Sequence, residues 1–328
     1  MKIVVMGSGA IGSLYGGILS QNRNNEVTLV GRKAHIDAIS SQGLTLTGVM
    51  GNHVVYPETT TDPKTIREAD LVLITTKTYD TLTAAKRIRH LVDQGAHVMV
   101  LQNGIGTEKE LAEYLDTERI IRATSCMGAL RTGPGKIQVT GTGITEIGSH
   151  FPSTYQIIYQ IAEMLQSVGF EVKISKNIEG VVWTKTLVNC GINPVGALTG
   201  LTNGEVYDNQ NLRGLIVQLV EEAVLVVKAL NIQLTTDDPV RYALGTAKAT
   251  SSNINSMLQD IRAGKTTEID SITGKIIEFA KELGIPTPAS ETVYALVKAL
   301  EAKCLADSKY CEDSILDADK LMEAISIP

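Results

Sequence analysis

The feature that most constrains the fold is a glycine-rich turn near the start of the chain. Lys2–Met6 form a short run rich in β-branched residues, and Gly7-Ser8-Gly9-Ala10-Ile11-Gly12 follow it directly. The next segment, Ser13–Gln21, has the composition of a helix. A strand, a G-x-G-x-x-G turn and a helix in this order are typical of a dinucleotide-binding βαβ unit, in which the turn and the helix N-terminus receive the pyrophosphate. The sequence therefore predicts a dinucleotide-binding domain.

The end of the second predicted strand, Glu26–Val30, bears on the choice of cofactor. An acidic residue at this point would bond the ribose 2′-hydroxyl of NAD, but the chain has Gly31, Arg32 and Lys33. A neutral residue followed by two cations suits a 2′-phosphate, so the sequence predicts NADPH. The alternative is that Arg32 and Lys33 only begin a solvent-exposed helix, and Gly31 by itself leaves the use of NADH open.

Further apolar runs continue this pattern at Leu71–Ile74, His97–Leu101 and Ile120–Ala123. Helical segments separate them, which predicts a doubly wound α/β domain of Rossmann type with a parallel sheet covered on both faces. Ligands bind at the carboxyl ends of the strands in such sheets. Lys77 and Asn103 follow two of these strands and are candidates to face the nicotinamide end of the cofactor, although Asn103 also belongs to an Asn-Gly pair, a common turn dipeptide.

The pattern changes after residue 123. Residues 127–149 indicate a strand, a turn and a strand that add an antiparallel hairpin to the sheet edge. A helix over Ser153–Val168 and a strand over Phe170–Ile174 then complete a first domain, predicted as 1–175. From Ile178 onward the periodicity is helical, so 176–328 is predicted as an all-helical second domain. Such an arrangement suggests a cleft between the domains, where small-molecule sites are common.

The first helix of the second domain carries a polar face. Lys185, Asn189 and Asn193 stand at i, i+4 and i+8, while the positions between them are mostly apolar. These polar groups either line a cleft or stay unpaired, and unpaired burial is costly. The alternative is that the lysine reaches solvent and the amides pair with nearby backbone. Pro194 is predicted to end or kink the helix, which would present Asn193 at a break.

Composition narrows the class of protein. The net charge is -6 over 328 residues and basic runs are missing, which argues against nucleic acid as a partner. We find no apolar stretch long enough to span a bilayer, so no membrane association is expected. The cysteines form no C-x-x-C pair and no metal-ligand spacing, so we predict no metal and interpret them as reduced thiols of a cytoplasmic protein. They are Cys126, Cys190, Cys304 and Cys311.

Several motifs along the chain resemble the ketopantoate reductase (2-dehydropantoate 2-reductase) family, from Met1 to about Lys298. They are Gly7–Gly12, Lys77, Gln102–Gly104, Trp183–Lys185 continuing to Asn193–Pro194, Asn203–Glu205, Ser256–Asp260 and Thr267–Asp270. The resemblance implies an NADPH-dependent oxidoreductase that acts on a CH–OH group. It would convert 2-dehydropantoate to (R)-pantoate in the pathway to pantothenate and coenzyme A, as a homodimer in the cytoplasm.

The resemblance also implies roles for individual residues. Lys185 would be the proton donor and Glu268 would complete the catalytic site, either by pairing with Lys185 or by holding a hydroxyl of the substrate or ribose. The residues expected to contact substrate are Asn103, Asn189, Asn193, Asn203 and Ser256. Those expected to contact cofactor are Gly7, Ser8, Gly9, Ala10, Ile11, Gly12, Arg32, Lys77, Asn103, Ala129 and Glu268. For Ala129 the correspondence is the sole argument.

Three alternatives remain open from the sequence. The first is a reductase of the same family that uses NADPH or NADH on another bulky 2-keto acid, as a D-2-hydroxyacid dehydrogenase. The second is a nucleotide-sensing protein without catalysis. The third concerns the segment from Asn255 to Asp270: here Asn255 or Ser256 would only cap a helix, and Glu268 would be solvated at the start of the next. The tail, 304–328, has no assigned role beyond packing.

Overall fold

A computed structural model describes residues 1–151 and 155–306. The chain folds into two compact units. The first unit consists of Met1–Gln102 and Gly106–Ile178, and the second consists of Asn103–Ile105 and the chain from Glu179 onward. A tripeptide that follows a strand of the first unit therefore packs within the second.

The first unit contains the sheet. Its elements in chain order are β1 (Lys2–Met6), α1 (Ala10–Leu19), β2 (Glu26–Val30), α2 (Lys33–Gln42), β3 (Leu44–Gly48), β4 (His53–Val55), β5 (Glu58–Thr60), β6 (Leu71–Ile74), α3 (Thr81–Asp93), β7 (His97–Val100), α4 (Thr107–Ala112), β8 (Ile120–Ser125), β9 (Gly128–Gly133), β10 (Lys136–Gly141), β11 (Thr145–Gly148), α5 (Tyr155–Ser167) and β12 (Val172–Ile174).

Eight strands form the main sheet in the order β12-β11-β8-β7-β6-β1-β2-β5. β1 pairs in parallel with β2 and β6, and β7 pairs in parallel with β6 and β8. Successive side chains enter two apolar cores, one containing Val5 and Leu29 and the other Val4 and Val30. Both faces are covered, which is why the strands are continuous apolar runs in the sequence. The predicted doubly wound α/β fold is confirmed.

The prediction of an antiparallel hairpin at the edge of the main sheet is wrong for residues 128–141. β9 and β10 pair with each other, but β10 also pairs in parallel with β3, in a separate sheet of order β4-β3-β10-β9. Ile137 and Val139 lie on one side of β10 and are each 1% exposed, in the core that also contains residues of α1. From the segment predicted as the hairpin, β11 does join the main sheet, where it pairs antiparallel with β8 and parallel with β12.

Two predicted boundaries also differ. α1 begins at Ala10, inside the glycine-rich turn, rather than at Ser13. α5 is described from Tyr155, and the predicted helical residues Ser153 and Thr154 lie outside the described residues. The strands β3, β4 and β5 were not predicted because they mix polar and β-branched residues and contain no continuous apolar run.

The second unit is helical throughout its described secondary structure, as predicted. Its elements are α6 (Ile178–Thr199), α7 (Asn203–Asp208), α8 (Gln210–Ala229), α9 (Pro239–Ala249), α10 (Ser256–Arg262), a π-helical turn over Asp270–Gly274, α11 (Lys275–Leu283) and α12 (Pro288–Ala306). None of the helices within 1–151 and 155–306 has the length and apolarity needed to cross a membrane.

Pro194 was predicted to end or kink the helix, and an end at this residue is wrong, since α6 continues through it to Thr199. A proline inside a helix removes one backbone hydrogen bond and costs about 3 kcal/mol. The continuation buries Val195 and Ala197, which are 1% and 0% exposed. Burial of such side chains stabilises a helix more than intrinsic propensity does, so the packed environment outweighs the local penalty.

Candidate active site

Hydrogen bonds fix the glycine-rich turn to the end of β2 and to the residue that follows β6. The backbone N–H groups of Gly7 and Ser8 donate to the Val30 carbonyl at 3.1 and 2.9 Å, and Thr75 Oγ1 donates to the Gly7 carbonyl at 2.7 Å. Gly7 has a φ of +107°, and a Cβ built at Gly12 would lie 2.2 Å from the Gly7 carbonyl oxygen. Glycine is therefore required at both positions, and the result is a backbone cradle of the kind that receives phosphates.

Ser8 adds a polar group to this cradle. Its side chain is 5% exposed, and its Oγ has no hydrogen-bond partner among the described residues. A Cβ at Gly31 would lie 1.8 Å from this Oγ, so Gly31 makes the space for the hydroxyl. Buried hydroxyls are normally hydrogen-bonded. An unpaired hydroxyl beside a glycine cradle fits a phosphate-bearing dinucleotide.

The cations predicted for the 2′-phosphate lie at the end of β2. Arg32 is the N-cap residue of α2 and Lys33 its first residue, and both are exposed. Lys33 Nζ lies 2.8 Å from the Asp37 carboxylate on the same helix. The two exposed residues do begin a helix, as the alternative interpretation expects, although α2 buries His35, Ile36 and Ile39. This position is also the one at which a ribose phosphate would be bound.

A buried histidine, His35, is linked to the glycine-rich turn through the Ser13 hydroxyl. His35 Nδ1 accepts from the Gly135 N–H at 3.0 Å, so the neutral ring carries its proton on Nε2, which lies 2.9 Å from Ser13 Oγ. Ser13 Oγ donates to the Ser8 carbonyl at 3.2 Å. Burial, and then the charge of Arg131, lowers the pKa of His35 to about 4. The ring is therefore neutral at physiological pH.

This pKa predicts a pH-dependent stability. Between the ordinary histidine value of 6.5 and about 4, the unfolded chain binds a proton that folded His35 does not. The free energy of unfolding should therefore fall as pH falls through this window, by on the order of 2 kcal/mol from this residue. Denaturant titrations of the wild type and His35→Gln at several pH values would measure it. Parallel pH profiles for the two proteins would contradict the assignment.

Other predicted cofactor residues lie on strand ends of the first unit. Lys77 is half-buried at the N-cap of a short 3₁₀ turn, Thr78–Asp80. Gln102 is 4% exposed, and its Nε2 donates to the carbonyls of Thr76 and Lys77 at 2.9 and 3.1 Å. Ala129 is half-buried in β9, opposite Val139. The side chain of Gln102 thus fixes the loop that carries Lys77, a role that was not predicted from the sequence.

The polar face of α6 is present in the second unit. Lys185 and Asn189 are half-buried, and Asn193 is 5% exposed. Apolar side chains of the same helix, such as Leu187 and Ile192, are 1% and 3% exposed. The helix is therefore surrounded by packing, and its one polar stripe carries a cation and two amides.

Asn103 and Glu268 are joined directly within the second unit. Asn103 Nδ2 donates to Glu268 Oε2 at 3.2 Å, and Glu268 is 6% exposed. Gly104 has a φ of +87°, and a Cβ there would lie 2.4 Å from the Ser271 carbonyl oxygen, which accepts from the Ile105 N–H at 3.1 Å. The expectation of a solvated Glu268 is wrong, because the tripeptide 103–105 packs against the turn that follows it.

A polar network fixes the backbone around Glu268. Glu301, which is 3% exposed, accepts from the Thr267 N–H at 2.6 Å. Lys298 Nζ lies 3.0 Å from both Glu301 and Asp270, and Tyr294 donates to Asp270 at 2.7 Å. Asp270 begins the π-helical turn. Such turns are frequent at functional sites, and here the turn provides the carbonyl on which residues 103–105 dock.

The last two predicted substrate residues begin helices. Asn203 starts α7, which has a capping box between Thr202 and Glu205, and hydrogen bonds from Thr202 lower the pKa of the Glu205 carboxyl. Asn203 is 7% exposed, whereas Ser256 is exposed at the start of α10. Asn255 caps α10, as the helix-capping alternative expects.

Among the described residues no group of His, Cys, Asp and Glu could hold a metal.

Two models of one protein family match the chain. The family "Ketopantoate reductase PanE/ApbA" matches residues 3–151, and "Ketopantoate reductase PanE/ApbA C terminal" matches residues 177–301. The 2-dehydropantoate 2-reductases of Pyrococcus abyssi and Pyrococcus horikoshii are 37% and 38% identical, over 92% of this chain and 98% of theirs.

Solved structures show the same fold. A PanE/ApbA family ketopantoate reductase from Ralstonia eutropha is 31% identical with a TM-score of 0.84, over 93% of this chain and 99% of the other. A D-mandelate dehydrogenase, solved with NADH and anilino(oxo)acetate, is 25% identical with a TM-score of 0.86 at the same coverage. The chain belongs to the ketopantoate reductase family.

Proposed function

We propose that this protein reduces 2-dehydropantoate to (R)-pantoate with NADPH, a step of pantothenate and coenzyme A biosynthesis. Residues 1–175 would bind the cofactor, and residues 176–328 would supply the groups that bind substrate. The observation that carries the proposal is the polar set of the helical unit: the stripe of Lys185, Asn189 and Asn193, together with the Asn103–Glu268 hydrogen bond.

Lys185 is the proton donor in this proposal. Bound NADPH would supply a hydride to the carbonyl carbon of the substrate. Negative charge then develops on the carbonyl oxygen, and an ammonium group at that oxygen stabilises the charge and delivers the proton. Lys185 is half-buried on a helix whose apolar side chains are packed, so the position of its backbone is held.

Glu268 orients Asn103 for binding. Its carboxylate accepts from the Asn103 amide, which leaves the amide oxygen and the second N–H of Asn103 for ligands. The Glu301 and Asp270 network holds the backbone on either side of Glu268. Because the backbone is held on both sides of Glu268, its carboxylate keeps Asn103 in one orientation. Such preorganisation lowers the entropy lost on binding.

The amides favour a substrate that carries a hydroxyl and a carboxylate. Asn193 and Asn203 are 5% and 7% exposed. A purely aliphatic 2-keto acid would offer no hydrogen-bond donor to the Asn203 Oδ1, which has no partner among the described residues, and leaving such a group unpaired costs about 1–3 kcal/mol. The hydroxyl of 2-dehydropantoate supplies one more polar group for them to bind.

NADPH is supported by the fit of the first unit. The open space beside Gly9, where an added Cβ would meet no atom within 4 Å, and the unpaired Ser8 hydroxyl suit a pyrophosphate, and Arg32 suits a 2′-phosphate. We expect Arg32→Ala to raise KM for NADPH about 10–100-fold, the value of one charge-assisted hydrogen bond, and to leave KM for NADH nearly unchanged. Lys281→Ala is the control, because Lys281 is an exposed cation of the second unit. Equal effects on both cofactors would refute the role of Arg32.

The function is tested by following NADPH oxidation with 2-dehydropantoate and with a panel of other 2-keto acids. A higher kcat/KM for 2-dehydropantoate than for the panel would support the proposal. The similarity to D-mandelate dehydrogenase favours a second candidate, a reductase of another bulky 2-keto acid, and phenylglyoxylate would then be the better substrate. Binding of NADPH without turnover of any keto acid would favour a sensing role.

A homodimer formed through the helical unit is part of the proposal. A groove of about 1160 Å³ is lined by apolar residues of α6, α8, α9 and α12. Leu225 and Leu296 line it and are 51% and 49% exposed. An apolar surface of this kind is typical of a protein interface. Light scattering should give the mass of a dimer for the wild type and of a monomer for Leu225→Lys; a monomeric wild type would contradict it.

A cytoplasmic location completes the proposal. Cys126 and Cys190 are thiols outside any disulfide, which suits a reducing compartment. Cell fractionation would test the location, and recovery of the protein in an extracytoplasmic fraction would refute it.

A further inference from the structure

Asn255 carries a hydrogen-bond donor that helix capping does not use. Its Oδ1 accepts from the Leu258 N–H at 3.0 Å and so caps α10. Its side chain is 8% exposed, and its Nδ2 has no hydrogen-bond partner among the described residues. Capping requires the oxygen alone, and serine or aspartate would provide it equally well. The buried amide nitrogen therefore needs another explanation.

Gly196 shows where this donor lies. A Cβ built at Gly196 would be 2.2 Å from Asn255 Nδ2. Gly196 stands on α6 three residues after Asn193, so it continues the face of the helix that carries Lys185 and Asn189. The amide nitrogen of Asn255 thus occupies the next place along the polar stripe, in a space that exists because position 196 has no side chain.

Asn203 supplies a matching acceptor from the same part of the unit. Its Nδ2 donates to Thr250 Oγ1 at 2.8 Å, while its Oδ1 has no partner among the described residues. Its backbone N–H donates to the Asn253 carbonyl at 3.0 Å. Two bonds therefore fix Asn203 to the segment 250–255, which ends in Asn255. One buried donor and one buried acceptor without partners accompany this single segment.

We propose that Asn255 binds substrate and, with Asn203, recognises a hydroxyl group of the 2-keto acid. This inference rests on the proposed function and assigns its substrate specificity. A hydroxyl accepts one hydrogen bond and donates another, so it satisfies the Asn255 donor and the Asn203 acceptor together. A carboxylate or keto oxygen only accepts and would leave the Asn203 oxygen unpaired. The subsite therefore selects 2-keto acids that carry a hydroxymethyl group over those that carry a methyl group.

The test compares two substrates that differ in this hydroxyl. 2-Dehydropantoate and its deoxy analogue, trimethylpyruvate, share the carboxylate, the keto group and the branched carbon. Asn255→Ser keeps a side-chain oxygen for the helix cap and removes the amide nitrogen. We expect the ratio of the two kcat/KM values to fall about 10-fold or more in this variant, while kcat/KM for trimethylpyruvate changes little.

Gly196→Ala provides an independent variant. Alanine favours a helix, but its Cβ would displace Asn255 Nδ2, so the same fall in the ratio is expected. Gly245→Ala is the control, since a Cβ at this helical position meets no atom within 4 Å and the ratio should stay unchanged. Calorimetric binding of pantoate to Asn255→Ser should weaken by the same factor as the ratio, which gives a measurement that does not depend on turnover.

The outcomes separate this inference from the function itself. A wild type that reduces no 2-keto acid would refute both. A wild type that prefers 2-dehydropantoate, with the same preference in Asn255→Ser and Gly196→Ala, would refute the hydroxyl subsite and leave the reductase intact. A fall in kcat/KM for both substrates by one factor would also overturn the inference, because it would show that Asn255 only supports the fold of α10.

Discussion

Replacing Lys185 with alanine is expected to lower kcat by about three orders of magnitude, with little change in the affinity for NADPH. Proton transfer from a positioned side chain contributes roughly 10²–10⁴-fold, and stabilisation of charge at an oxyanion contributes a similar factor. Lys185 would supply both through one N–H group, so the two factors are not independent and the expected loss is the size of one of them. The measurement is NADPH oxidation under saturating 2-dehydropantoate, with NADPH binding followed separately by fluorescence.

Two further variants sharpen this test. Lys185→Arg keeps the positive charge but holds its proton too tightly to transfer it, so it should recover binding of the keto acid better than kcat. Lys281→Ala removes an exposed lysine of α11 and should leave kcat unchanged. If Lys185→Ala kept kcat within about threefold of the wild type, the result would favour the alternative from the sequence analysis, in which this lysine only reaches solvent.

The parallel sheet could be predicted from the sequence because its signal is local. Strands β1, β2 and β6 begin and end at the predicted residues, since strands covered on both faces need continuous apolar runs and sharp turns. The glycine-rich turn could also be recognised from its local pattern, although the close contacts at Gly7 and Gly12 include Thr75 and Thr76, which follow β6. The stripe at i, i+4 and i+8 on α6 is equally local.

Features that depend on contacts distant in sequence could not be predicted. The packing of residues 103–105 on the turn near Ser271 joins segments far apart in the chain. The pairing of β10 with β3 also joins distant segments, so the hairpin was placed in the wrong sheet. The burial of Pro194 within α6 depends on neighbouring helices that the local sequence does not reveal. Propensity describes one segment at a time, and tertiary packing overrides it at each of these places.

Arg122 is a further residue whose role was invisible in the sequence, where it is one cation within a predicted strand. It is 1% exposed, and its guanidinium donates to the carbonyls of Val100, Gln102 and Ala123 at 3.1, 2.9 and 3.2 Å. Its Nε lies 3.4 Å from the carboxylate of Glu108, which is also buried. Arg122 therefore holds the end of β7 and also Gln102, which directly precedes Asn103, and it neutralises a buried charge.

Arg122→Met should lower the free energy of unfolding by about 3–5 kcal/mol, the usual effect of removing one partner of a buried ion pair. Methionine fills much of the volume, but the Glu108 carboxylate is left in the interior and three carbonyls lose a donor. Denaturant titration at neutral pH gives the free energy of unfolding. Arg119→Met is the control: Arg119 is half-buried and donates to the Gly95 carbonyl, so its loss should cost about 1 kcal/mol.

The double variant Arg122→Met/Glu108→Gln distinguishes the ion pair from the bonds to the carbonyls. Removing the charge of Glu108 should restore part of the lost stability, so the two substitutions should be non-additive by about 1–3 kcal/mol. Activity assayed well below the unfolding midpoint should stay reduced in both variants, because the carbonyl of Gln102 remains without its donor and Asn103 follows it directly. Full recovery of activity in the double variant would show that Arg122 stabilises the fold without positioning Asn103.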